Sequence, residues 1–443
     1  MNHRNFFGRI LALGSLLCTV ALAQQPNFVI IYCDDHVTES IQHGALVPNI
    51  DSLREEGLFF PEAYSAAPAC TPARYNALTG QYAGRCRGKF LQTGITEEGQ
   101  SWVHWNAETS SDDWIGAKML RDAGYATGLV GKIGAFVTQA AKPSKAYADM
   151  KADDPNKKPL FEENQRIMVE LIQPFGFDYG GALTHSNMSG DDQRHAPEFQ
   201  LEHCIEFIEA SKDQPFYLHF APHLMHMPQP MKSLKGDPRN AYGVMLDQAP
   251  ATQPSRESVL ARVQAAGLDE ELAPATWLDD TIGVLLQTLE KHNLADNTLV
   301  IFMQDNGHHG GKGSVYEGGA NVLGCWMRWP DGIKNPSSTN PTYAMNIDFV
   351  PTMLDAAGVP QPEGYRPDGI SLLPALQGSE EPLRDSVFVE IGHTRAVLKG
   401  DWKYIAFRVP ESHQLSSEQI EQYKELAEID PTMDKQARVT HIH

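Results

Sequence analysis

The chain contains, directly after Pro26, the segment Asn27-Phe28-Val29-Ile30-Ile31-Tyr32-Cys33-Asp34-Asp35. Its first six residues form an almost continuous apolar run, without the alternation of a half-exposed strand. Such a run is typical of a strand buried on both faces, as in a parallel sheet that helices cover on either side. The segment therefore predicts an α/β fold and places two aspartates at the end of a buried strand.

Strand and helix patterns alternate along the chain as far as about residue 304. The pattern 275–292, for example, carries Trp277, Ile282, Leu285 and Leu289 on one stripe. Helices are predicted at 48–56, 114–122, 198–212 and 275–292, and strands at 126–130, 215–221 and 298–304. This alternation favours parallel pairing with helices on both faces. We therefore expect a large, mostly parallel mixed sheet flanked by helices.

The pattern changes after about residue 380. Short strand patterns separated by tight turns follow at 386–391, 395–399 and 402–407. They predict a small antiparallel sheet, and a polar helix is expected at 416–428. The Lys-, Asp- and Pro-rich stretch 141–165 is predicted to be a surface insertion. We expect a main domain at 24–379 and a C-terminal subdomain at 380–443.

The first 23 residues have the pattern of a secretory signal. Arg4 and Arg9 give a positive start, 10–23 is apolar, and Ala21-Leu22-Ala23 is a cleavage site of small residues. A transmembrane anchor is the alternative, but about 14 apolar residues are fewer than the roughly 20 that a spanning helix needs. The sequence predicts cleavage near Ala23 and a secreted or periplasmic protein.

The composition is strongly acidic. The 443 residues include 36 Lys and Arg against 56 Asp and Glu, a net charge of −20, which becomes −22 when the signal is removed. This charge argues against nucleic-acid partners and anionic membranes, and no later segment predicts membrane insertion. Five cysteines remain without metal-ligand spacing, namely Cys33, Cys70, Cys86, Cys204 and Cys325. Disulfides are not expected to define the fold.

Two predicted strands end in oxygen-bearing side chains. Asp34-Asp35 follows the first strand, and Asp305-Asn306 follows the strand 298–304. Ligands of open parallel sheets bind beyond the carboxyl ends of the strands. Adjacent buried carboxylates need a cation or hydrogen bonds, and oxygen ligands suit Ca²⁺ or Mg²⁺. For either pair alone, a solvated turn or a helix cap is the favoured explanation. Two pairs at matching strand ends, together with a cysteine motif at 69–74, favour the cation site instead.

A third motif is Ala69-Cys70-Thr71-Pro72-Ala73-Arg74, followed by Leu78-Thr79-Gly80. Further short motifs occur in order at Gly131-Lys132, Pro222-His223-Leu224-Met225-His226-Met227-Pro228, Asp305-Asn306-Gly307, Gly311-Lys312-Gly313 and Tyr316-Glu317-Gly318-Gly319. Together they resemble a type I, formylglycine-dependent sulfatase of the alkaline phosphatase superfamily. The resemblance extends from about Gln25 to about Phe407.

The resemblance implies a metal site and a modified nucleophile. The metal, usually Ca²⁺ with Mg²⁺ as the alternative, would be held by Asp34, Asp35, Asp305 and Asn306, and oxidised Cys70 would complete the shell. A maturation enzyme would convert this cysteine to formylglycine, whose hydrate carries two hydroxyls on one carbon. One hydroxyl attacks sulfur and the other then expels sulfate, whereas a serine would stop after the first step.

The resemblance also implies roles for five other side chains. Arg74 would stabilise the hydrated aldehyde, while Lys132, His226 and Lys312 would contact the substrate. Cations neutralise charge on the sulfuryl oxygens, and a histidine can protonate the leaving alcohol. We nominate His226 for that proton transfer. His185 lies where some relatives place a substrate-contacting histidine, so it is a further candidate.

Some of these residues could have simpler roles. Alone, Lys132 could be a solvated lysine and Lys312 part of a flexible glycine-rich loop. The pair His223 and His226 could be half of a transition-metal site. Many relatives carry a histidine where this chain has Gly134, and its absence suggests that another group does its work or that turnover is slow.

Three functions remain open at this level. The favoured one is an exported sulfatase acting on a sulfated carbohydrate or another sulfate ester. A phosphodiesterase or phosphonate hydrolase could use the same nucleophile, and a sulfated-glycan-binding relative without activity is the third. The segment that often ends the family's C-terminal subdomain is missing before His443, so this subdomain is expected to be truncated.

Overall fold

The computed structural model describes residues 25–410 apart from 36, 137–146, 148–149, 186–194, 228 and 308–310. The predicted signal segment and the predicted helix 416–428 lie outside the described residues. Among the residues that the structure describes, no helix combines the length and the apolar composition needed to cross a bilayer. The five cysteines of this part of the chain are all buried, and none forms a disulfide.

Fifteen strands are formed within the described ranges. They are β1 Asn27–Cys33, β2 Leu58–Phe60, β3 Ala63–Tyr64, β4 Ala126–Lys132, β5 Tyr179–Thr184, β6 Phe216–Ala221, β7 Asn240–Ala241, β8 Val244–Met245, β9 Thr298–Gln304, β10 Cys325–Arg328, β11 Ser338–Thr339, β12 Ala344–Met345, β13 Val387–Ile391, β14 Thr394–Lys399 and β15 Trp402–Phe407.

The α-helices of the same ranges cover both faces of the largest sheet. They are α1 Val37–Gln42, α2 Pro48–Glu55, α3 Cys70–Thr79, α4 Lys89–Thr93, α5 Gly116–Asp122, α6 Lys157–Ile172, α7 Pro197–Ser211, α8 Pro230–Leu234, α9 Arg256–Ala265, α10 Ala273–Lys291, α11 Glu317–Ala320, α12 Phe349–Ala356 and α13 Leu373–Leu376.

Eight strands form one mixed sheet in the order β11-β2-β10-β9-β1-β6-β4-β5. The run from β9 to β5 is parallel throughout, whereas β10 is antiparallel to both of its neighbours. Strands β13, β14 and β15 form a separate antiparallel sheet. The predicted α/β class, with a large mostly parallel sheet and a small C-terminal antiparallel sheet, is confirmed.

Strand β1 lies at the centre of this arrangement, and both of its faces are buried. Phe28, Ile30 and Tyr32 join the hydrophobic core on one side of the sheet. Val29 and Ile31 join the core on the other side. The lack of alternation in the sequence therefore has the predicted cause, a strand between two layers of helices.

The predicted elements agree with the structure to within about two residues at each end. The four predicted helices correspond to α2, α5, α7 and α10, and the three later strands to β4, β6 and β9. Four strands of the large sheet were not predicted, namely β2, β5, β10 and β11. β5 contains Gly180 and Gly181 and β2 has only three residues, so neither has a clear apolar pattern.

The prediction of a surface insertion at 141–165 is wrong for its second half. From Lys157 onward the stretch belongs to α6, which contacts β5. Phe161, Met168 and Ile172 are buried on one stripe of this helix. The abundance of charged residues concealed a helix whose apolar positions are few but regularly spaced.

A buried ion pair joins α7, α9 and α10. Arg256 Nε and Nη2 donate to the two carboxylate oxygens of Glu198 at 2.9 and 3.1 Å, and the indole of Trp277 donates to Oε1 at 2.6 Å. All three side chains are buried. Removal of one partner from such a pair leaves an uncompensated buried charge, so these contacts fix the relative position of the three helices.

We expect Glu198→Ala to lower the free energy of unfolding by about 3–5 kcal/mol, because Arg256 then stays buried without its counter-ion. Urea unfolding followed by tryptophan fluorescence measures this loss. Glu163→Ala is the control, since its pair with Arg166 is exposed and such pairs contribute about 1 kcal/mol or less. Equal losses in the two variants would contradict this account of helix packing.

Candidate active site at the carboxyl end of the sheet

The two acidic strand ends meet because β1 and β9 are parallel neighbours in register. Cys33 lies opposite Gln304, and the backbone N–H of Asp305 donates to the carbonyl of Cys33 at 2.9 Å. The next residue of each strand is therefore an aspartate at the same level. Asp34 and Asp305 are fully buried. Parallel pairing thus brings together two carboxylates that are 271 residues apart.

Asp35 and Asn306 extend the same cluster. The side-chain amide of Asn306 donates to Asp35 Oδ1 at 2.5 Å. The backbone N–H of Asp35 donates to Asp305 Oδ1 at 3.3 Å. Both Asp35 and Asn306 are almost completely buried. Four oxygen-bearing side chains from two strand ends therefore share one small volume.

Cys70 is the first residue of α3, and its side chain faces the cluster. The backbone is extended at Ala69 and becomes helical at Cys70. The thiol Sγ lies 3.3 Å from Asp34 Oδ1 and 3.0 Å from Lys312 Nζ. Cys70 is 6% exposed. Cys70 thus contacts both Asp34, at the end of β1, and Lys312, in the glycine-rich segment.

Three cations compensate the three carboxylates, one for each. Lys132, at the end of β4, donates to Asp34 Oδ2 at 2.5 Å. Arg74, one turn into α3, donates to Asp305 Oδ2 at 3.0 Å. Lys312 donates to both oxygens of Asp35, at 2.7 and 2.9 Å. Because each carboxylate has a cation within hydrogen-bond distance, the three acids can be buried together.

The protonation of the cluster follows from burial and from these pairs. Burial opposes the ionisation of Asp34, but Lys132 and other cations outweigh it and hold the pKa of this carboxyl well below its usual range. Burial and the charge of Asp34 raise the pKa of Asp305 to about 7. Burial and Asp34 also raise the pKa of the Cys70 thiol to about 12. The unmodified thiol is therefore neutral at pH 7.

The donor set fits a hard divalent cation. One ligand atom from each of Asp34, Asp35, Cys70 and Asp305 lies within 4.8 Å of the others. Asn306 Oδ1 is buried and has no hydrogen-bond partner among the residues that the structure describes, although buried polar oxygens normally have one. A cation bound by carboxylate oxygens would satisfy this orphaned amide oxygen.

His226 lies on the open side of the cluster. Its Nε2 is 3.5 Å from Asp35 Oδ2, and its side chain is 22% exposed. Burial lowers the pKa of its imidazole. A partly exposed histidine next to the carboxylates can exchange a proton with a group that enters from solvent.

The other histidine of this motif faces away from the cluster. His223 Nε2 bonds to Thr184 Oγ1, and Nδ1 lies 3.1 Å from Gln200 Nε2. Both ring nitrogens are therefore engaged within the protein. The alternative of a transition-metal site on His223 and His226 is not supported by this geometry.

His195 supports His226, and the sequence offered no signal for it. Its Nε2 lies 2.9 Å from the carbonyl of His226, and its Nδ1 lies 2.9 Å from Ser233 Oγ. The candidate His185 follows the last residue of β5, Thr184, which is the register partner of Lys132. It lies at the same edge of the sheet as the cluster.

Gly134 is packed against Arg74. A Cβ at this position would lie 2.9 Å from Arg74 Cδ and 3.5 Å from its Nε, and Gly134 has φ +28°. The space that a side chain would enter is thus filled by the arginine that binds Asp305. The absence of a side chain at Gly134 and the path of Arg74 are therefore two aspects of one local arrangement.

The family model described as Sulfatase matches residues 26–359. The chain belongs to the sulfatase family. As a sulfatase it is a sulfuric ester hydrolase. It is 25% identical to an N-acetylgalactosamine-6-O-sulfatase of Bacteroides thetaiotaomicron over 86% of this chain and 83% of that protein.

Solved structures share the fold of this sulfatase. One, in complex with its substrate D-glucosamine-2-N,6-O-disulfate, has a TM-score of 0.60 at 19% identity and covers 95% of this chain and all of its own. A phosphonate monoester hydrolase of Agrobacterium radiobacter has a TM-score of 0.57 at 17% identity, with 86% of this chain and 87% of that chain covered. At these identities the likeness concerns the fold alone.

We expect Gly134→Ala to lower the rate of sulfate release by about ten- to hundredfold, because the new methyl group displaces Arg74 from Asp305 and small misplacements at a reacting centre are costly. Steady-state kinetics with a chromogenic aryl sulfate measures this loss. The matched control is Gly124→Ala, which also has a positive φ but open space around its Cβ. If both variants keep the wild-type rate, the position of Arg74 does not limit turnover.

Proposed function

We propose that this sulfatase hydrolyses sulfate esters of carbohydrates through formylglycine made from Cys70, with a divalent cation held by Asp34, Asp35, Asp305 and Asn306. The observation that carries the proposal is the position of Cys70. Its Sγ contacts both Asp34 and Lys312 at the edge of the buried carboxylate cluster. A nucleophile on this side chain would therefore lie next to a carboxylate of the proposed metal site and also next to a lysine.

The environment of Cys70 argues against chemistry by the thiol itself. Nucleophilic cysteines need thiolate character, which exposed and electropositive surroundings provide, whereas this side chain is buried and neutral at pH 7. A hydrated aldehyde in its place supplies one hydroxyl to attack sulfur and a second to expel sulfate. The motif Cys70-Thr71-Pro72-Ala73-Arg74 supports this conversion.

The charges of the site suit a sulfate ester. Arg74, Lys132 and Lys312 balance the three carboxylates, so a divalent cation would leave a positive surplus that the substrate's sulfate can offset. We assign Lys132 and Lys312 to the sulfate oxygens, where cations stabilise developing charge. Arg74 holds Asp305 and stabilises the hydrated nucleophile.

His226 is the proposed proton donor to the leaving alcohol. It is partly exposed and lies beside Asp35, so its Nε2 faces both the cluster and the solvent side from which substrate enters. His195 bonds to its carbonyl and thereby positions the backbone of His226. We place His185 at the substrate-binding edge because it follows the strand that pairs with β4.

The proposed cation is Ca²⁺, with Mg²⁺ as the alternative. All of the proposed protein ligands apart from modified Cys70 are carboxylate or amide oxygens, which hard cations prefer. When bound, the cation would act as a Lewis acid toward the sulfate group. Asp34, Asp35 and Asp305 contribute by holding it in a water-poor site together with Asn306.

A carbohydrate substrate is proposed from the relatives and from export. The Bacteroides relative is named for a sulfated amino sugar, and the predicted signal segment directs the chain to a compartment where external sulfated glycans occur. A phosphonate monoester hydrolase shares the fold, so hydrolysis of phosphonate or phosphate esters is the alternative reaction. Faster turnover of an aryl phosphonate than of an aryl sulfate would favour it.

In active protein, the peptide that contains residue 70 should have the mass of the formylglycine form, which is lower than the mass of the peptide with unmodified Cys70. Tandem mass spectrometry of protein co-produced with a formylglycine-generating enzyme measures this difference. We expect Cys70→Ser to release at most one equivalent of alcohol per protein, because a single hydroxyl cannot expel sulfate. Multiple turnovers by this variant, or sulfate release by protein with an intact thiol, would overturn the mechanism.

Chelation of divalent cations should abolish sulfate release, and Ca²⁺ should restore it. We expect Asn306→Ala to raise the Ca²⁺ concentration for half-maximal activity by about tenfold, since one oxygen ligand is lost. Titration of chelator-treated protein with Ca²⁺ or Mg²⁺ measures both effects. Full activity in the presence of excess chelator, with the metal content verified as zero, would exclude the proposed cation.

A further inference from the structure

The segment 101–109 packs against α3 and the residues that precede it. Val103 and Ala107 belong to a buried cluster with Ala67 and Tyr75. Ala67 is three residues before Cys70, and Tyr75 lies on the second turn of α3. The segment therefore packs against the chain that leads into the candidate active site.

Two backbone anchors fix this segment on either side of Trp105. At one end, Val103 and Gly392 exchange backbone hydrogen bonds of 3.1 and 2.6 Å. At the other end, the N–H of Thr109 donates to the carbonyl of Ala135 at 2.7 Å. Ala135 follows Gly134, which packs against Arg74. The second anchor thus ties the segment to the chain that packs against Arg74.

Trp105 is exposed but held in place. Its side chain is 60% exposed, whereas its neighbour His104 is 1% exposed. The ring of His104 contacts Trp105 edge-on, with centroids 3.9 Å apart, and stacks on Trp102 at 5.1 Å with an interplanar angle of 13°. An exposed tryptophan supported in this way presents a rigid apolar face to solvent at low entropic cost.

The surroundings of Trp105 indicate what this face binds. The polar side chain of its neighbour Asn106 is bonded to the backbone of Trp102 and His104, so the indole face is the part of the segment that is open to a ligand. An exposed, rigid indole face matches a pyranose ring, whose C–H groups form apolar faces.

We propose that Trp105 is a sugar-binding residue of the substrate site and stacks on the pyranose ring adjacent to the sulfated one. The inference rests on the proposed carbohydrate sulfatase function and makes it more specific. It predicts that oligosaccharides are better substrates than the sulfated monosaccharide alone, because only they reach this ring. His104 is a positioning residue that holds the indole.

Kinetics of Trp105→Ala tests this role in protein that carries the Cys70 modification. The substrates are 4-nitrophenyl sulfate and a panel of sulfated mono-, di- and tetrasaccharides prepared from chondroitin and heparin. We expect KM for the best oligosaccharide to rise by about three- to tenfold, the usual contribution of one aromatic contact. The kinetics with 4-nitrophenyl sulfate should stay unchanged, and Trp105→Phe should recover most of the loss.

Trp402→Ala is the matched control, since Trp402 is 83% exposed on β15. Equal oligosaccharide kinetics in wild type and Trp105→Ala would overturn the inference, as would an equal loss in Trp402→Ala. Turnover of 4-nitrophenyl sulfate without turnover of any saccharide would also overturn it while leaving sulfatase activity intact. Modified wild-type protein that hydrolyses none of these esters would instead refute the proposed function.

Discussion

The structure depends on the burial of three carboxylates at one end of a parallel sheet. Charges removed from water repel one another strongly and need compensation by opposite charges or hydrogen bonds. The pairing of β1 with β9 places Asp34 beside Asp305, and this proximity is stable only because cations from other elements reach it. Lys132 comes from β4 and Arg74 from α3. The order of strands and helices around β1 therefore serves the electrostatics of one site.

The same constraint explains why α3 is buried along its whole length. Cys70 at its start faces the carboxylates, and Arg74 one turn later binds Asp305. For the guanidinium to reach Asp305, its stem passes beneath Gly134, where a side chain would collide with it. A change at Gly134 therefore acts on Asp305 through Arg74. The buried carboxylates, Cys70 and Arg74 therefore form one mechanical unit rather than independent parts.

Much of the fold, and a smaller part of the site's surroundings, could be predicted from the sequence. The ends of β1 and β9 were predictable because a continuous apolar run that stops at acidic residues is typical of a buried strand reaching the edge of its sheet. Helix α3 has no amphipathic pattern, since all ten of its residues are buried. His195 lies 31 residues from His226 in the sequence, so only the fold brings them together. Local patterns predict elements and their ends, whereas support for the candidate catalytic groups comes from contacts between distant segments.

The acidity of the whole protein and the chemistry of its site act over different distances. A net charge of −20 repels a sulfated glycan on approach, but salt screens exposed charges beyond about 8–10 Å. Lys132, Lys312 and Arg74 lie within hydrogen-bond distance of the cluster. Lys132 and Arg74 are buried and Lys312 is only 17% exposed, so screening there is weak. Attraction of a sulfate group at contact therefore comes from these cations, and salt hardly weakens it. Contacts such as an exposed indole, which carry no charge, can then contribute to binding without opposing the field of the protein surface.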